Sequence, residues 1–315
     1  MTSTAEEVQK NGRELAGQTP SFSVVIPAYN AASFILETLD SVARQTYKYF
    51  EIVVVDDGSV DGTYEAVRQW CRSNPTVSLK LISQTNKGIG GARNSGVRKA
   101  RGEFVAFLDA DDYWLENKLA SIARYLGESP KTDLVCHDEW IEKDGCRTLR
   151  TYGPYLSYKE FLFKRNCIST GATIIRRSMV AEAGWFSEDL GFNGVEDYEF
   201  WMRVAKVGAQ IEYLHEVLGV YRIHEGGISS NVNLHTQNAL NVLNRHFSAW
   251  PHRSPYYRYL MRKRRAIVYR GAARSFSRSR DFSQAKSFAF RALQQNPLSW
   301  KNWLVLVFSL AKLDL

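Results

Sequence analysis

No run in this 315-residue chain is apolar for long enough to span a bilayer. The longest, Trp303 to Leu310, falls far short of the roughly 20 residues that a transmembrane helix needs. An N-terminal hydrophobic segment is lacking too. Met1 to Gln18 is polar, which argues against a secretory signal and leads us to expect a flexible segment over residues 1–20. Cysteine is scarce: Cys71, Cys136, Cys146 and Cys167 show no CxxC pairing and read as the reduced thiols of a cytoplasmic protein. Acids are nearly absent between Arg253 and Lys286, where Asp281 alone faces eleven Lys and Arg. That block concentrates the net charge of +8 and fits anionic lipid, an anionic acceptor or nucleic acid. The remaining composition, 44% hydrophobic and 23% charged, is that of a globular chain able to form one large domain with an appendage, or two modest domains.

The informative stretch is Asn86 to Trp114. It opens on a glycine-rich turn, Lys87-Gly88-Ile89-Gly90-Gly91, continues as a helix to about Ala100 and leads into the apolar run Phe104 to Leu108. That run has no polar alternation, so it reads as a strand buried on both faces of a parallel sheet. It stops at Asp109-Ala110-Asp111-Asp112. Carboxylates at the carboxyl end of such a strand lie in the crevice where open α/β sheets bind ligands. Three of them in four residues repel one another unless a cation or a donor network occupies the site. Hard oxygen ligands suit Mg²⁺ or Mn²⁺ bridging to a diphosphate. A solvated acidic turn capping the next helix is the plainer alternative, disfavoured by the buried strand in front of it.

Upstream, the same unit recurs. Phe22–Ile26 is a β-rich run closed by Pro27-Ala28-Tyr29-Asn30, and Ser33 is placed to cap a helix with apolar residues at Phe34, Ile35, Leu39 and Val42. Ile52–Val55 runs into Asp56-Asp57-Gly58-Ser59 and a helix from about Thr63 to Cys71, and Leu79–Ile82 is a third strand. Strand, turn and helix repeated three times before the acidic strand make a doubly wound α/β half built on parallel βαβ units. Each strand ends in polar residues: Tyr29 and Asn30, Asp56 and Asp57, Asn86 and Lys87, Asp109 and Asp111. A nucleotide lying across the strand ends accounts for all four.

VVIPAYN at Val24–Asn30, EIVVVDDGSVDGT at Glu51–Thr63, GARNSG at Gly91–Gly96 and FLDADDYW at Phe107–Trp114 together carry a resemblance. From about Phe22 to His224 the chain resembles a family 2 glycosyltransferase with the GT-A fold. The resemblance implies a mostly parallel, helix-flanked sheet, a nucleotide-sugar donor (usually a UDP-sugar) and a divalent metal, Mn²⁺ or Mg²⁺. It also implies inverting transfer to a saccharide or lipid-linked saccharide, in the synthesis of cell-surface polysaccharide or glycolipid. Carried over residue by residue, it assigns Pro27, Tyr29, Asn30, Asp57, Arg93, Asp109 and Ala110 to the nucleotide. Tyr29 would lie against uracil, Asp57 would accept from the ring N–H, and Asp109 would contact the ribose or the metal's water shell. Asp111 would bind the metal, and His224, in Tyr221-Arg222-Ile223-His224, would lie near the metal or the diphosphate. Arg93 has two equal readings, nucleotide support or structural partner of Asp56. Tyr29 also reads as a core aromatic beside a turn.

The acceptor half follows the acidic strand. Leu115–Leu126 reads as a helix, Asp133–Ile141 as a strand, Tyr152–Lys164 as an aromatic-rich helix or loop, and Ile168–Ile175 as a strand whose Ser-Thr-Gly start approaches a sugar. Val195-Glu196-Asp197-Tyr198 opens a helix over Glu199–Val207. Acids favour a helix N-terminus in any case. Inverting transfer, however, needs a carboxylate to take the acceptor hydroxyl's proton, and the family's acceptor-side ED pair matches here. Asp197 is therefore the expected base, with Glu196 orienting it or the acceptor. Trp185 reads as a sugar platform or as core.

From His235 onward the resemblance stops. Leu234–Trp250 and Arg258–Ser275 read as helices, and Asp281–Pro297 resembles one partial tetratricopeptide-type unit, too little for a solenoid. The expected division is a flexible segment 1–20, a GT-A domain 21–232 and a helical C-terminal extension 233–315. The extension would pack on the catalytic domain or in a homodimer. Alternatively, Arg253–Lys286 and Trp300–Leu310 would rest on the inner face of a membrane. No nucleic-acid partner is expected. A dinucleotide oxidoreductase would need GxGxxG after the first strand, and none is there. A pyrophosphorylase's basic glycine-rich opening is absent near Ile26, and a DxD phosphatase would carry its acids on the first strand. A non-catalytic sugar-nucleotide-binding scaffold remains the alternative, opposed by the presence of both Asp111 and Asp197.

Overall fold

The computed structural model describes residues 20–224 and 231–313, so the segment expected to be flexible lies outside the described residues up to position 19. The first half runs β1 (Phe22–Ala28), α1 (Ile35–Ala43), β2 (Phe50–Asp56), α2 (Thr63–Ser73), β3 (Leu79–Ser83), α3 (Gly88–Lys99) and β4 (Phe104–Phe107). The second runs β5 (Tyr113–Trp114), α4 (Lys118–Glu128), β6 (Leu134–Lys143), β7 (Cys146–Arg150), α5 (Tyr158–Phe163), β8 (Thr173–Arg176), α6 (Arg177–Glu182), α7 (Glu196–Lys206) and β9 (Ile211–Arg222). These strands form one sheet in the order β3-β2-β1-β4-β8-β6-β9-β5, with β7 paired to β6.

Strands β1 to β4 are mutually parallel, and their register sets the crevice. Ala28 pairs with Asp56 and Val25 with Phe107, so Tyr29, Asp57 and Asp109 emerge along one edge. Apolar residues on both sides of each strand bury both faces. Val24 and Ile26 pack with Ile35, Leu39, Val67 and Leu119 on one face, and Val25 packs with Ala92, Val97 and Trp201 on the other. Helix α3 comes close to the sheet because a Cβ at Gly96 would collide with the Val25 side chain.

Several local expectations change in the structure. The glycine-rich stretch is the first turn of α3, not a turn before it, and a Cβ at Gly90 would strike the Ser187 carbonyl oxygen. Ser33 does not cap α1. Phe34 holds the cap position without a side-chain bond, and the Phe34 and Ile35 N–H groups both turn back to the Ala31 oxygen. The strand expected from Ile168 begins only at Thr173, because Thr173 N–H closes a turn on the Thr170 oxygen at 3.0 Å. Within Tyr152–Lys164, only Tyr158–Phe163 is helical, with Ser157 capping through the Glu160 N–H. The run Phe104–Phe107 is parallel to β1 but antiparallel to β8, a distinction that a uniformly apolar run cannot encode.

Beyond the sheet come α8 (Val232–Ala249), α9 (Pro255–Arg278), α10 (Phe282–Gln295) and α11 (Trp300–Ala311). Val242, Leu243, Phe247 and Trp250 of the first helix region, with Met261, join the core that also holds α7. Ala272, Ala273, Phe288, Ala289 and Val305 form a separate small core among the last three helices. No helix among the described residues is long and apolar enough to cross a membrane.

Candidate active site

The acidic turn after β4 sends its three carboxylates to three different partners, which relieves their mutual repulsion. Asp109 Oδ1 accepts from Arg93 at 2.8 Å, Asp111 Oδ2 lies 2.8 Å from His224 Nε2, and buried Asp112 accepts from the Arg222 backbone N–H at 2.8 Å. Burial, then the neighbouring Asp111, Asp109 and Glu139 charges, push the Asp112 carboxyl well above the ordinary carboxylate range. Asp112 is thus part of the scaffold, and only Asp109 and Asp111 remain partly exposed. The turn is pinned from α1, where the Thr38 hydroxyl lies 2.8 Å from both the Ala110 and Asp112 carbonyl oxygens.

Arg93 joins the two halves of the sheet domain. From α3 its buried guanidinium reaches Asp109 with Nη2 and Glu196 with Nη1, the latter at 2.6 Å across 103 residues of sequence. Its ion pairs are with these two acids and not with Asp56, whose Oδ1 accepts from the Ser59 N–H. Burial opposes the Arg93 charge, but Asp109, Glu196 and Asp197 outweigh it and hold the guanidinium firmly protonated. Burial raises Glu196 to about 6, with Arg93 pulling back and Asp197 pushing up. Asp197 is also raised, first by burial, against the pull of Arg93, the Tyr198 N–H and Thr170. Its Oδ2 accepts from the Thr170 hydroxyl at 3.1 Å and its Oδ1 from the Tyr198 N–H at 2.6 Å. Glu196 Oε2 is buried and has no hydrogen-bond partner among the described residues. Glu196 borders a narrow recess lined also by Gly88, Gly90, Ser187 and Asn193.

Behind this pair lie residues that the sequence reading missed. Lys118, fully buried on α4, donates to the Gly171 carbonyl at 2.8 Å and sits 3.8 Å from the Trp114 ring centre. Burial brings its ammonium down to about 7 against the attraction of Glu139. Tyr152 donates to Glu139 at 2.7 Å beside it. This cluster fixes the segment that carries Thr170 to Asp197. From the other side, α8 and α9 grip α7. His246 lies 3.5 Å from Glu199, and Arg264 donates to the Tyr198 hydroxyl at 3.2 Å. Burial works to raise Glu199, but His246 and Arg203 hold it at about 2.

Along the strand ends expected to meet a nucleotide, Tyr29 is 54% exposed, so it is not a core aromatic. Asp57 Oδ1 accepts from Gln84 Nε2 at 2.7 Å and the Lys87 N–H at 2.9 Å, which orients the carboxylate. Asn30, at φ +50°, spends its side-chain oxygen on the Val60 N–H, so its side chain locks a loop. Pro27 and Ala110 are buried beneath this edge. Trp185 lies against Arg98, 4.7 Å from its guanidinium, in the last turn of α3, at the opposite end of that helix from the strand-end crevice. That placement fits core packing, not a sugar platform.

Asp111 and His224 give one carboxylate oxygen and one imidazole nitrogen, and the His224 ring is held 4.8 Å from Phe34. This donor set suits Mn²⁺. Among the described residues no group of three or more His, Cys, Asp or Glu could cage an ion alone. An ion here would therefore take its other ligands from water and a diphosphate.

Residues 23–182 match the family described as Glycosyl transferase family 2. The chain is 32% identical over 213 residues to the UDP-Glc:alpha-D-GlcNAc-diphosphoundecaprenol beta-1,3-glucosyltransferase WfaP of Escherichia coli, covering 66% of this chain and 80% of that one. Among solved structures it is similar to S. aureus TarS residues 1–349 in complex with UDP-GlcNAc, with a TM-score of 0.64 at 21% identity over 93% of this chain and 88% of that one. It is also similar to the mannosyltransferase PcManGT from Pyrobaculum calidifontis in complex with GDP-Man and Mn²⁺. There the TM-score is 0.62 at 20% identity, over 97% of this chain and 86% of that one.

Proposed function

Since this chain belongs to glycosyl transferase family 2 and has the GT-A fold, we propose that it transfers a sugar, with inversion, from a UDP-sugar to a hydroxyl of a lipid-linked saccharide. The observation that carries this reading is the Arg93 bridge, which gathers donor-side Asp109 and acceptor-side Glu196 around one guanidinium beside Asp197. Support for the donor and acceptor classes comes from the UDP-GlcNAc complex of TarS and the diphosphoundecaprenol-linked acceptor in the WfaP name.

In this reading Asp57 and Tyr29 hold the base of the nucleotide, and Asp109, kept in place by Arg93, faces the ribose. Asp111 and His224 would hold a divalent cation, which supplies charge neutralisation for the departing diphosphate. Asp197 takes the acceptor hydroxyl's proton during attack on the anomeric carbon. Its raised proton affinity suits a base working near neutral pH. Thr170 and the Tyr198 N–H hold that carboxylate in place, and Glu196, bonded to Arg93, orients the base from behind. The catalytic unit spans residues 21–232 and the helices of 233–315 extend it. The basic block Arg253–Lys286 draws the enzyme to an anionic membrane surface, where a lipid-linked acceptor would reside.

The test is UDP release across a panel of UDP-sugars with lipid-linked acceptors, for wild type and Asp197→Asn. The variant is expected to bind UDP as wild type does and to lose transfer by ~10²–10⁴-fold, the usual contribution of a general base. Near-normal turnover would remove Asp197 from the mechanism. Wild type that binds no UDP-sugar would overturn the donor assignment.

A further inference from the structure

Helix α11 is built inside out. Its buried positions are Asn302, Val305 and Ser309, whereas Trp300, Trp303, Val307 and Leu310 face solvent, Trp300 at 68% and Leu310 at 61% exposure. Both sets recur at helical spacing, so a mixed face of Asn302, Val305, Leu306 and Ser309 points inward and an apolar face points outward. The inward face is fully engaged. Asn302 accepts from Arg270 at 3.0 Å and donates to the Ala292 and Asn296 carbonyl oxygens at 3.2 and 2.9 Å. Ser309 donates to the Val305 oxygen at 2.7 Å. Rotating the tryptophans inward would break the Asn302 bonds and bury tryptophan where alanines now pack closely, so the outward stripe is set by the fold. Leu298 and Leu313, which flank the helix in sequence, are exposed too. A contiguous exposed apolar face of this kind marks a surface that meets an apolar partner.

The surroundings of the stripe identify the partner by charge. Lys301 Nζ sits 5.6 Å from the Trp300 ring centre, Lys312 follows the helix, and Arg291 is exposed on neighbouring α10. Asp281 and Asp314 are the acids between Arg253 and Leu315, against fourteen Lys and Arg. We propose that this face inserts shallowly into an anionic bilayer. Trp300, Trp303, Val307 and Leu310 enter the boundary between headgroups and acyl chains, and Lys301, Lys312 and Arg291 lie at the headgroups. A second copy of the chain fits less well, because a two-fold contact through this face sets the same cationic rim against itself. The inference rests on the membrane-associated reading above and adds to it an apolar, salt-resistant anchor distinct from the electrostatic pull of Arg253–Lys286.

The full chain is sedimented with vesicles of phosphatidylcholine and phosphatidylglycerol, and of phosphatidylcholine alone, at low and high salt. Wild type is compared with Trp300→Ser/Trp303→Ser/Leu310→Ser and with the single change Trp303→Lys. Circular dichroism and UDP calorimetry without vesicles check that each variant is folded. The expected result is that wild type binds anionic vesicles and keeps a bound fraction at high salt. The triple variant should lose that fraction and bind ~10-fold or more weakly at low salt, with Trp303→Lys in between. Equal partitioning of wild type and triple variant at high salt overturns the proposal, as does wild type that stays in the supernatant throughout. A wild-type dimer that the triple variant abolishes, without vesicle binding, assigns the face to a second copy. Failure of UDP binding by wild type would count against the glycosyltransferase reading alone, since docking is read without donor.

Discussion

Replacing Arg93 by methionine removes the guanidinium that Glu196 and Asp109 share while keeping most of the side-chain volume. The arginine side chain is 3% exposed, and its partners Glu196 and Asp109 are 6% and 24% exposed. Truncating one member of a buried pair leaves an uncompensated charge and costs about 3–5 kcal/mol. Most of that falls on Glu196, since water can still reach Asp109. Glu196 has an escape by protonation. Burial holds its folded-state value at about 6 with Arg93 present, and loss of the guanidinium raises it further. An acid whose folded value exceeds its unfolded value of about 4.3 contributes stability that is present below the unfolded value and lost as pH rises through the folded one. The Arg93→Met deficit relative to wild type should therefore be small near pH ~5 and reach its full ~3–5 kcal/mol by pH ~8. Urea unfolding followed by circular dichroism reads this directly, as a midpoint lowered on the order of 1 M at the higher pH. Adding Glu196→Gln to the variant should recover part of the loss at pH ~8, because the stranded charge is gone. A deficit below about 1 kcal/mol, or one of the same size at both pH values, would refute the assignment of Arg93 as counterion to the buried acids.

Two other expectations follow from the site. Asp111→Asn should abolish the Mn²⁺ dependence of UDP binding with the unfolding midpoint retained, and calorimetry showing equal UDP affinity with and without Mn²⁺ in wild type would sink the metal assignment. Thr170→Val removes one hydrogen bond to Asp197 Oδ2. That bond favours the ionised form, so its loss should move the acidic limb of the turnover profile to higher pH and lower kcat with donor KM unchanged. An unmoved limb would deny Thr170 its positioning role.

Four strands, their parallel order and the acidic edge were legible in the chain because each depends on local pattern. Unbroken apolar runs demand burial on both faces, and polar residues at each run's end must leave the sheet on the same side when the strands are parallel. The family resemblance singled out Asp111 and Asp197 as candidates by the same local means. Tertiary structure decided which groups meet. The Arg93–Glu196 bond spans 103 residues, Lys118 reaches Gly171 across 53, and Arg264 reaches Tyr198 across 66. None of these separations carries a periodic signal, and lysine or arginine at a helical position reads as surface until a neighbouring element covers it. The same reason hid the inversion of α11. Its sequence is apolar nearly all round, so only the packing of Asn302 against α9 and α10 determines which face is left to the solvent.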